Sequence, residues 1–218
     1  GAQHGVGVYT YNNTGLPYVF VIDNVDVNDF QKNAFAINGD GLTVTMTNCD
    51  VVGEGPTDVT AQNGIQVWGD GAVANISNCT VDGIDYTGTG WSASGVLLYY
   101  VGDANMDNVD VSSSHVSFYN YGVDNVELTN SQITDAVRTG FYVKSLSPTK
   151  GGVNIDIEDP HPFGEGSDAK QGSNKSSSVI VSITNSGFFG SDNTTFRGIG
   201  FSSNSCSDIT KSIKNSTK

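Results

Sequence analysis

Short runs in which apolar and polar residues alternate recur along the chain. The clearest example is residues 63–83, NGIQVWGDGAVANISNCTVDG, where three such runs are separated by a Gly-Asp-Gly sequence and an Asn-Cys pair. Alternation with a period of two is typical of β-strands that bury one face. The stretch therefore predicts three short strands joined by two corners. The side chains expected to face one interior are Ile65, Val67, Val73, Ile76 and Val81.

An asparagine recurs at the second corner of each unit. Its positions are Asn24, Asn48, Asn78, Asn108, Asn130 and Asn185, which are separated by 24, 30, 30, 22 and 55 residues. Most of these intervals match one turn of a solenoid built from strands. Asparagine tolerates left-handed backbone geometry and can hydrogen-bond the equivalent side chain of the next turn. We therefore expect an inward-facing ladder of asparagines along the stack.

A second set of alternating segments precedes these corners and predicts seven parallel strands in one sheet. The segments begin at Gly5, Ala34, Gly64, Gly95, His115, Gly140 and Gly198. Aligning their starts places one outward file at Tyr9, Asn38, Trp68, Tyr99, Tyr119, Lys144 and Ser202. The file beside it would contain Gly7, Ala36, Gln66, Leu97, Ser117, Tyr142 and Gly200.

The repeated order of Gly-Asp-Gly turns, alternating strands and corner asparagines resembles the right-handed parallel β-helix, or pectin-lyase-like, superfamily. The resemblance covers about residues 5–204. It implies an all-β, right-handed parallel β-helix of about seven rungs. It carries little information about activity, because this architecture supports lyases, hydrolases, epimerases, phage tailspikes and non-catalytic surface proteins.

The whole chain, residues 1–218, is predicted to form one domain. Residues 145–178 interrupt the pattern and indicate a long loop insertion, with a short strand over residues 153–157. Residues 205–218 indicate a polar tail. Neither end supplies an amphipathic cap helix, so we expect a piece of a longer, adhesin-like protein, or open ends that are covered by partners or by self-association into a fibre or trimer.

Composition limits the partners. A net charge of -13 argues against nucleic acid and anionic membranes, which need clustered Lys and Arg. No apolar run approaches the roughly 20 residues that span a bilayer. Cys49 and Cys79 occupy equivalent places in successive repeats, where they could stack as buried thiols or form a disulfide. An extracellular or cell-surface location is expected from glycosylation sequons at Asn12, Asn75, Asn78, Asn174, Asn193 and Asn215.

The aromatic file predicts a polysaccharide-binding face. Aromatic rings spaced along a sheet could form a ridge for sugar rings, with polar neighbours reaching the hydroxyls. The predicted ligand-binding residues are Tyr9, Asn38, Gln66, Trp68, Tyr99 and Tyr119. The alternative is that the rings pack on one another across the strands beneath the long loop.

A polysaccharide lyase or C5-epimerase acting on uronic acids is the enzymatic alternative. Such chemistry needs a cation for the carboxylate and an acid and a base beside the sugar ring. The catalytic candidates are Tyr119, Tyr142, Lys144, Arg138 and His161, with His115 near the same file. The sequence Asp159-Pro160-His161 is similar to a motif of alginate C5-epimerases, which implies that His161 and a tyrosine act as the acid/base pair. Here it lies in the insertion, with no tyrosine just before it.

Acidic residues follow several first-sheet strands. Asp40, Asp70, Asp103 and Asp124 lie in related turns, where stacked carboxylates would favour a cation such as calcium. We therefore single out Asp40, Asp70 and Asp103 as candidate calcium ligands. Aspartate-glycine turns also form without any metal. No other cofactor is predicted.

Overall fold

The computed structural model describes the backbone of residues 5–145 and of residues 153–158, 180–184, 187–189, 199–203 and 209–214, with side chains for residues 5–143. The strands are β1 (Val6–Asn12), β2 (Tyr18–Asp23), β3 (Asp26–Val27), β4 (Asn33–Gly39), β5 (Leu42–Thr47), β6 (Asp50–Val52), β7 (Asn63–Asp82), β8 (Ser94–Ser112), β9 (Val116–Tyr121), β10 (Asn125–Thr129), β11 (Gln132–Thr134), β12 (Thr139–Ser145), β13 (Val153–Glu158), β14 (Ile180–Thr184), β15 (Gly187–Phe189), β16 (Ile199–Ser203) and β17 (Ile209–Lys214). No helix occurs in this part of the chain, and hence none that could cross a membrane.

The strands form a parallel β-solenoid of about five turns with three faces. The first face contains β1, β4, the start of β7, the start of β8, β9, β12 and β16. The second contains β2, β5, the middles of β7 and β8, β10, β14, β13 and β17. The third contains β3, β6, the ends of β7 and β8, β11 and β15.

The predicted all-β parallel solenoid is confirmed, but the expected count of about seven rungs is too high. Seven strands do stack on the first face, as the sequence pattern predicts. Only the first five of them are followed directly by strands on both the second and the third faces. After β12 the chain forms β13 and then β14, which both lie on the second face. The strand expected near residues 153–157 is present as β13, which pairs with β14 on one side and β17 on the other.

The three corners differ in how much their length varies. The corner from the second to the third face takes one or two residues in each of the first five turns. The connection from the third face back to the first ranges from residues 113–115 to residues 83–93. Differences in repeat length are therefore absorbed mainly at this last corner.

The inward positions of successive strands make one continuous apolar core. Their side chains include Phe35, Ile37, Ile65, Val67, Val96, Leu98, Phe118 and Phe141, all of which are fully buried. Burying a side chain of this size stabilises a fold by roughly 1.5–3 kcal/mol. The sequence prediction was wrong for Val73, which is only half-buried. Period-two alternation through the buried Ile76 instead turns Ala72 and Ala74 inward.

The corner asparagines have the predicted backbone geometry but face the opposite way. Asn24, Asn48, Asn78, Asn108 and Asn130 have φ between 51° and 57°, in the left-handed region. All five side chains are exposed, so the expected inward ladder is wrong, and Asn185 lies outside the described residues. The left-handed corner turns the amide to solvent and lets the next residue point inward. An exposed amide also avoids the cost of burying its polar atoms.

The amide of Asn108 nevertheless donates to Oδ1 of Asn78 over 2.9 Å, as expected of a ladder between turns. The residues that follow Asn48 and Asn78, Cys49 and Cys79, are buried free thiols. Each thiol donates to the carbonyl two residues before it over 3.2 Å. Burial raises the pKa of Cys79 to about 12, which keeps this thiol protonated at neutral pH.

Exposed aspartates are hydrogen-bonded to donors of the following turn. Oδ1 of Asp107 accepts from the Thr129 hydroxyl and the Asn130 amide, both over 2.7 Å. Oδ1 of Asp23 accepts in the same way from Thr47 over 2.6 Å and from Asn48 over 2.9 Å. These bonds lower the pKa of both aspartates, because they stabilise the ionised form.

Candidate functional site

Two residue rows run along the outer side of the first face, and they differ from the predicted files at two strands. Row A contains Tyr11, Asn38, Trp68, Tyr99, Tyr121, Lys144 and Ser202. Row B contains Tyr9, Ala36, Gln66, Leu97, Tyr119, Tyr142 and Gly200. The prediction that Tyr9 and Tyr119 share a file with Trp68 is therefore wrong.

The physical reason is a register shift of two residues in β1 and β9. Alignment of strand starts pairs Phe118 with Leu98, whereas the structure pairs it with Val96. A two-residue shift keeps every apolar side chain on the inner side, so the alternation pattern cannot detect it. Sequence reasoning consequently missed Tyr11 and Tyr121. The available signal was the repeated spacing Tyr-x-Tyr at residues 9–11 and 119–121, which puts both rings on one side.

At one end of this face, five tyrosines pack on one another. We call Tyr99, Tyr100, Tyr119, Tyr121 and Tyr142 the tyrosine cluster. Tyr99 and Tyr121 stack with ring centroids 4.5 Å apart and planes 7° apart. The Tyr100 ring packs edge-on against the Tyr99 ring, with centroids 4.5 Å apart, and the ring centroids of Tyr119 and Tyr142 are 4.9 Å apart. The ring packing expected in the alternative is present at this end, whereas the loop expected to cover the rings lies largely outside the described residues.

One residue of the tyrosine cluster, Tyr100, has an unusual backbone conformation. Tyr100 forms the whole corner between Tyr99 and Val101 and has φ 59°, in the left-handed region. Such geometry costs a residue with a Cβ atom roughly 1–2 kcal/mol. The ring contacts that Tyr100 makes with Tyr99 and Tyr121 accompany this strained corner.

The other end of the face carries aromatic rings that are open. We call the part containing Tyr9, Tyr11, Asn38, Gln66 and Trp68 the open segment. Tyr9 and Tyr11 are 61% and 60% exposed, and Trp68 is 49% exposed. Trp68 meets the tyrosine cluster nearly edge-on, at 5.5 Å and 76° from Tyr99. Tyr11 and Trp68 are two strands apart in row A, which corresponds to about 10 Å.

Amide side chains form the polar floor of the open segment. Gln66 Nε2 donates to Oδ1 of Asn38 over 3.1 Å. Oε1 of Gln66 accepts from the amides of Asn33 over 2.8 Å and Asn63 over 3.4 Å. These bonds hold Gln66 in place. No described residue accepts a hydrogen bond from the amide nitrogen of Asn38, so its donors are available to another group. The floor can therefore offer hydrogen bonds between the rings of Tyr11 and Trp68.

The stacked Gly-Asp-Gly turns border the open segment. The backbone N–H of Asp70 donates to Oδ1 of Asp40 over 2.9 Å. A Cβ atom on Gly69 would lie 2.0 Å from the carbonyl oxygen of Gly39, so the two turns approach too closely for a side chain there. Glycine at position 69 is thus required by the close stacking.

The carboxylates of two of the three candidate calcium ligands accept hydrogen bonds from the protein. Asp40 accepts the bond from Asp70, and Oδ1 of Asp103 accepts from the Asn125 amide over 2.6 Å. Within the described residues, no group of three or more His, Cys, Asp or Glu side chains is arranged to hold a metal ion. The calcium expectation stays a prediction, and the hydrogen bonds account for the positions of the Asp40 and Asp103 carboxylates.

The catalytic candidates are only partly brought together. Tyr119 and Tyr142 are in contact, and burial, followed by the neighbouring tyrosines, raises the pKa of Tyr119 to about 12. Arg138 is exposed, and its guanidinium donates to the Ser92 hydroxyl over 3.4 Å. The backbone of Lys144 pairs with Tyr121. The Lys144 side chain and His161 lie outside the described part of the structure.

His115 lies beside this group on the preceding turn. Its carbonyl accepts the backbone N–H of Arg138 over 3.0 Å, and its ring lies 6.5 Å from that of Tyr86. Burial, together with the charge of Arg138, lowers the pKa of His115, against the opposing effect of Asp85. His115 is consequently neutral at pH 7.

No family model, curated protein or solved structure matches this chain. The case for function therefore depends on the geometry of the first face.

Proposed function

We propose that this protein binds a polysaccharide on the open segment of its first face. Sugars present apolar C–H faces that stack on aromatic rings and hydroxyl groups that need hydrogen-bond partners. The open segment offers both, because Asn38 and Gln66 lie in the rows that also hold Tyr9, Tyr11 and Trp68. A surface or extracellular setting agrees with this proposal and with the sequons of the chain.

The observation that carries the proposal is the contrast between the two ends of one face. In the tyrosine cluster, the rings of Tyr99 and Tyr121 stack face to face and cover one another. In the open segment, Tyr9, Tyr11 and Trp68 remain about half exposed or more. Packing within the sheet accounts for the first group. Among the described residues, Tyr9 and Tyr11 make no ring contact, and Trp68 makes one, with Tyr99.

Affinity electrophoresis through gels containing different polysaccharides tests the proposal. Trp68→Ala should lose retardation in the gel that retards the parent chain, with a fall in affinity of about tenfold or more. Trp91→Ala is the matched control, because Trp91 is 76% exposed in the corner connection of residues 83–93 and lies outside the two rows. Equal retardation of the parent chain and Trp68→Ala would contradict the proposal.

A lyase acting on uronic acids is the second candidate, favoured by the contact between Tyr119 and Tyr142. A raised pKa keeps Tyr119 protonated, which suits an acid better than a base. Incubation with alginate, pectate and chondroitin, followed by absorbance of unsaturated uronate, distinguishes this candidate from binding alone. Product formation that disappears in Tyr142→Phe would favour the lyase.

Self-association is the third candidate, favoured by the end of the stack at β1 and β2. Tyr18 faces inward in register with the fully buried Leu42, yet it is 49% exposed. A second solenoid end could cover this ring and extend the sheet. Light scattering over a range of concentrations would detect such assembly, and a constant monomer mass would argue against it.

A further inference from the structure

We infer that the polysaccharide held by the open segment is electrically neutral, an inference that depends on the proposed binding function. A neutral polysaccharide differs from the uronic-acid polymers that would be the substrates in the enzymatic alternative. The inference is based on the distribution of charge around the open segment and on the chemistry of its floor.

The open segment itself carries no formal charge. Its row positions and their neighbours on the next strand are Tyr9, Tyr11, Ala36, Asn38, Gln66, Trp68 and Leu97. A site that holds acidic sugars needs Arg or Lys at hydrogen-bonding distance to compensate each carboxylate. These positions provide aromatic, aliphatic and amide groups instead.

Carboxylates border the open segment in the turns that follow its row A residues Asn38 and Trp68. Asp40 and Asp70 follow Asn38 and Trp68 by two residues, and both are exposed. Residues 5–143 contain sixteen Asp and Glu but only two basic residues, Lys32 and Arg138. An acidic polymer on the open segment would therefore meet charge of its own sign beside Asn38 and Trp68.

Neither basic residue serves the open segment. The ammonium group of Lys32 donates to the carbonyl oxygen of Ala61, and burial lowers the pKa of Lys32. Arg138 immediately precedes β12, and strands β8 and β9 lie between β12 and the strand that contains Trp68. The Arg138 guanidinium contacts Ser92. Both cations thus have partners outside the two rows.

The floor is suited to hydroxyl groups. Asn and Gln amides each combine donors with an acceptor, so they can pair with a hydroxyl that also does both. A sugar carboxylate would present acceptors only. Oδ1 of Asn38 accepts one bond from Gln66 and keeps a second lone pair, and its amide nitrogen has two N–H donors, so this side chain can both donate to a hydroxyl and accept from it. The same donors could contact a carboxylate, but the amide has no formal charge to compensate it.

Matched pairs of polymers test the inference. Pectate, alginate and chondroitin would each be compared with its carboxyl-reduced form, which keeps the linkage and removes the uronate charge, alongside neutral glucans, mannans and xylans. Affinity electrophoresis and calorimetry should show binding to at least one neutral polymer, with an affinity that changes less than about twofold between 50 mM and 500 mM salt. Trp68→Ala should remove this binding, and Trp91→Ala should preserve it.

Asp40→Asn with Asp70→Asn tests the role of charge directly. Asparagine keeps an Oδ1 acceptor for the backbone N–H of residue 70. The double variant should leave affinity for the neutral polymer unchanged and raise affinity for its acidic counterpart by about two- to fivefold at low salt.

Two results would overturn the inference in different ways. Binding of an acidic polymer more tightly than its carboxyl-reduced form, with loss in Trp68→Ala, would overturn neutrality and leave the proposed binding function standing. Failure of every neutral and acidic polymer to bind would overturn the proposed function and the inference together.

Discussion

The rings of Tyr99 and Tyr121 lie 4.5 Å apart and within 7° of parallel, on neighbouring strands of the first face. Each ring therefore covers a face of the other and leaves less aromatic surface for a ligand. The same two residues fix where the tyrosine cluster ends and where the more open rings begin.

Tyr121→Ala should lower the free energy of unfolding while leaving the proposed polysaccharide binding intact. The loss of its contacts with Tyr99, Tyr100 and Tyr119 should cost about 2 kcal/mol, of which ring pairing accounts for roughly 0.5–1.5 kcal/mol. Urea unfolding gives the change. Tyr11→Ala is the control and should cost less than about 0.5 kcal/mol. Equal losses in both variants would show that the stacking contributes little.

The left-handed corner at Asn78 should discriminate between glycine and alanine. Asn78→Ala should destabilise the protein by about 1–2 kcal/mol, because alanine keeps the Cβ atom that is unfavourable at φ 51° but loses the short polar side chain with which asparagine tolerates this geometry. Asn78→Gly removes the Cβ atom, and both variants lose the bond from Asn108. Thermal unfolding of the two proteins isolates the backbone effect. A Tm for the alanine variant equal to or above that of the glycine variant would refute this explanation.

Gly69→Ala should be much more harmful than Gly41→Ala. A Cβ atom at position 69 would overlap the carbonyl oxygen of Gly39, and a backbone atom can yield only if the stacked turns separate. We expect a loss of about 3 kcal/mol or more for Gly69→Ala. At Gly41 there is free space around the added atom, and only φ 61° is unfavourable, at about 1 kcal/mol. Chemical denaturation of both variants checks the order, and a reversed order would disprove close stacking of the turns.

Acid should weaken the solenoid through Asp23 and Asp107. Hydrogen bonds lower the pKa of both groups in the folded protein. Their contribution is therefore present above the unfolded pKa near 4 and is lost as the pH falls through the lower folded values. When Tm is measured from pH 7 to pH 2.5, it should begin to decrease once the pH is below about 4.

Asp107→Asn should flatten that acid dependence, because it removes one of the two titrating groups. Asp58→Asn is the control, since Asp58 is exposed and its carboxylate makes no hydrogen bond in the described structure. An acid dependence that is equally steep in the parent protein and in Asp107→Asn would contradict the role assigned to the bonds from Thr129 and Asn130.

The sequence predicted the fold well because its dominant signals are local. Alternation identifies strands, and the recurring asparagine identifies the left-handed corner at Asn48 and Asn78. Local patterns do not determine which residues of adjacent strands pair. The shift that brings Tyr121 beside Tyr99 preserves the inner and outer sides of β9, so it became visible only in the pairing itself. For the same reason, the open and packed ends of the aromatic face could not be told apart in advance.

The variable corner between the third and first faces has a consequence for how this architecture could change. Connections as different as residues 113–115 and residues 83–93 join strands that remain paired along the stack. Segment length at this corner is thus decoupled from the spacing of rings on the first face. New peptide segments could be grafted there, turn by turn, while Tyr11, Asn38 and Trp68 keep their mutual geometry.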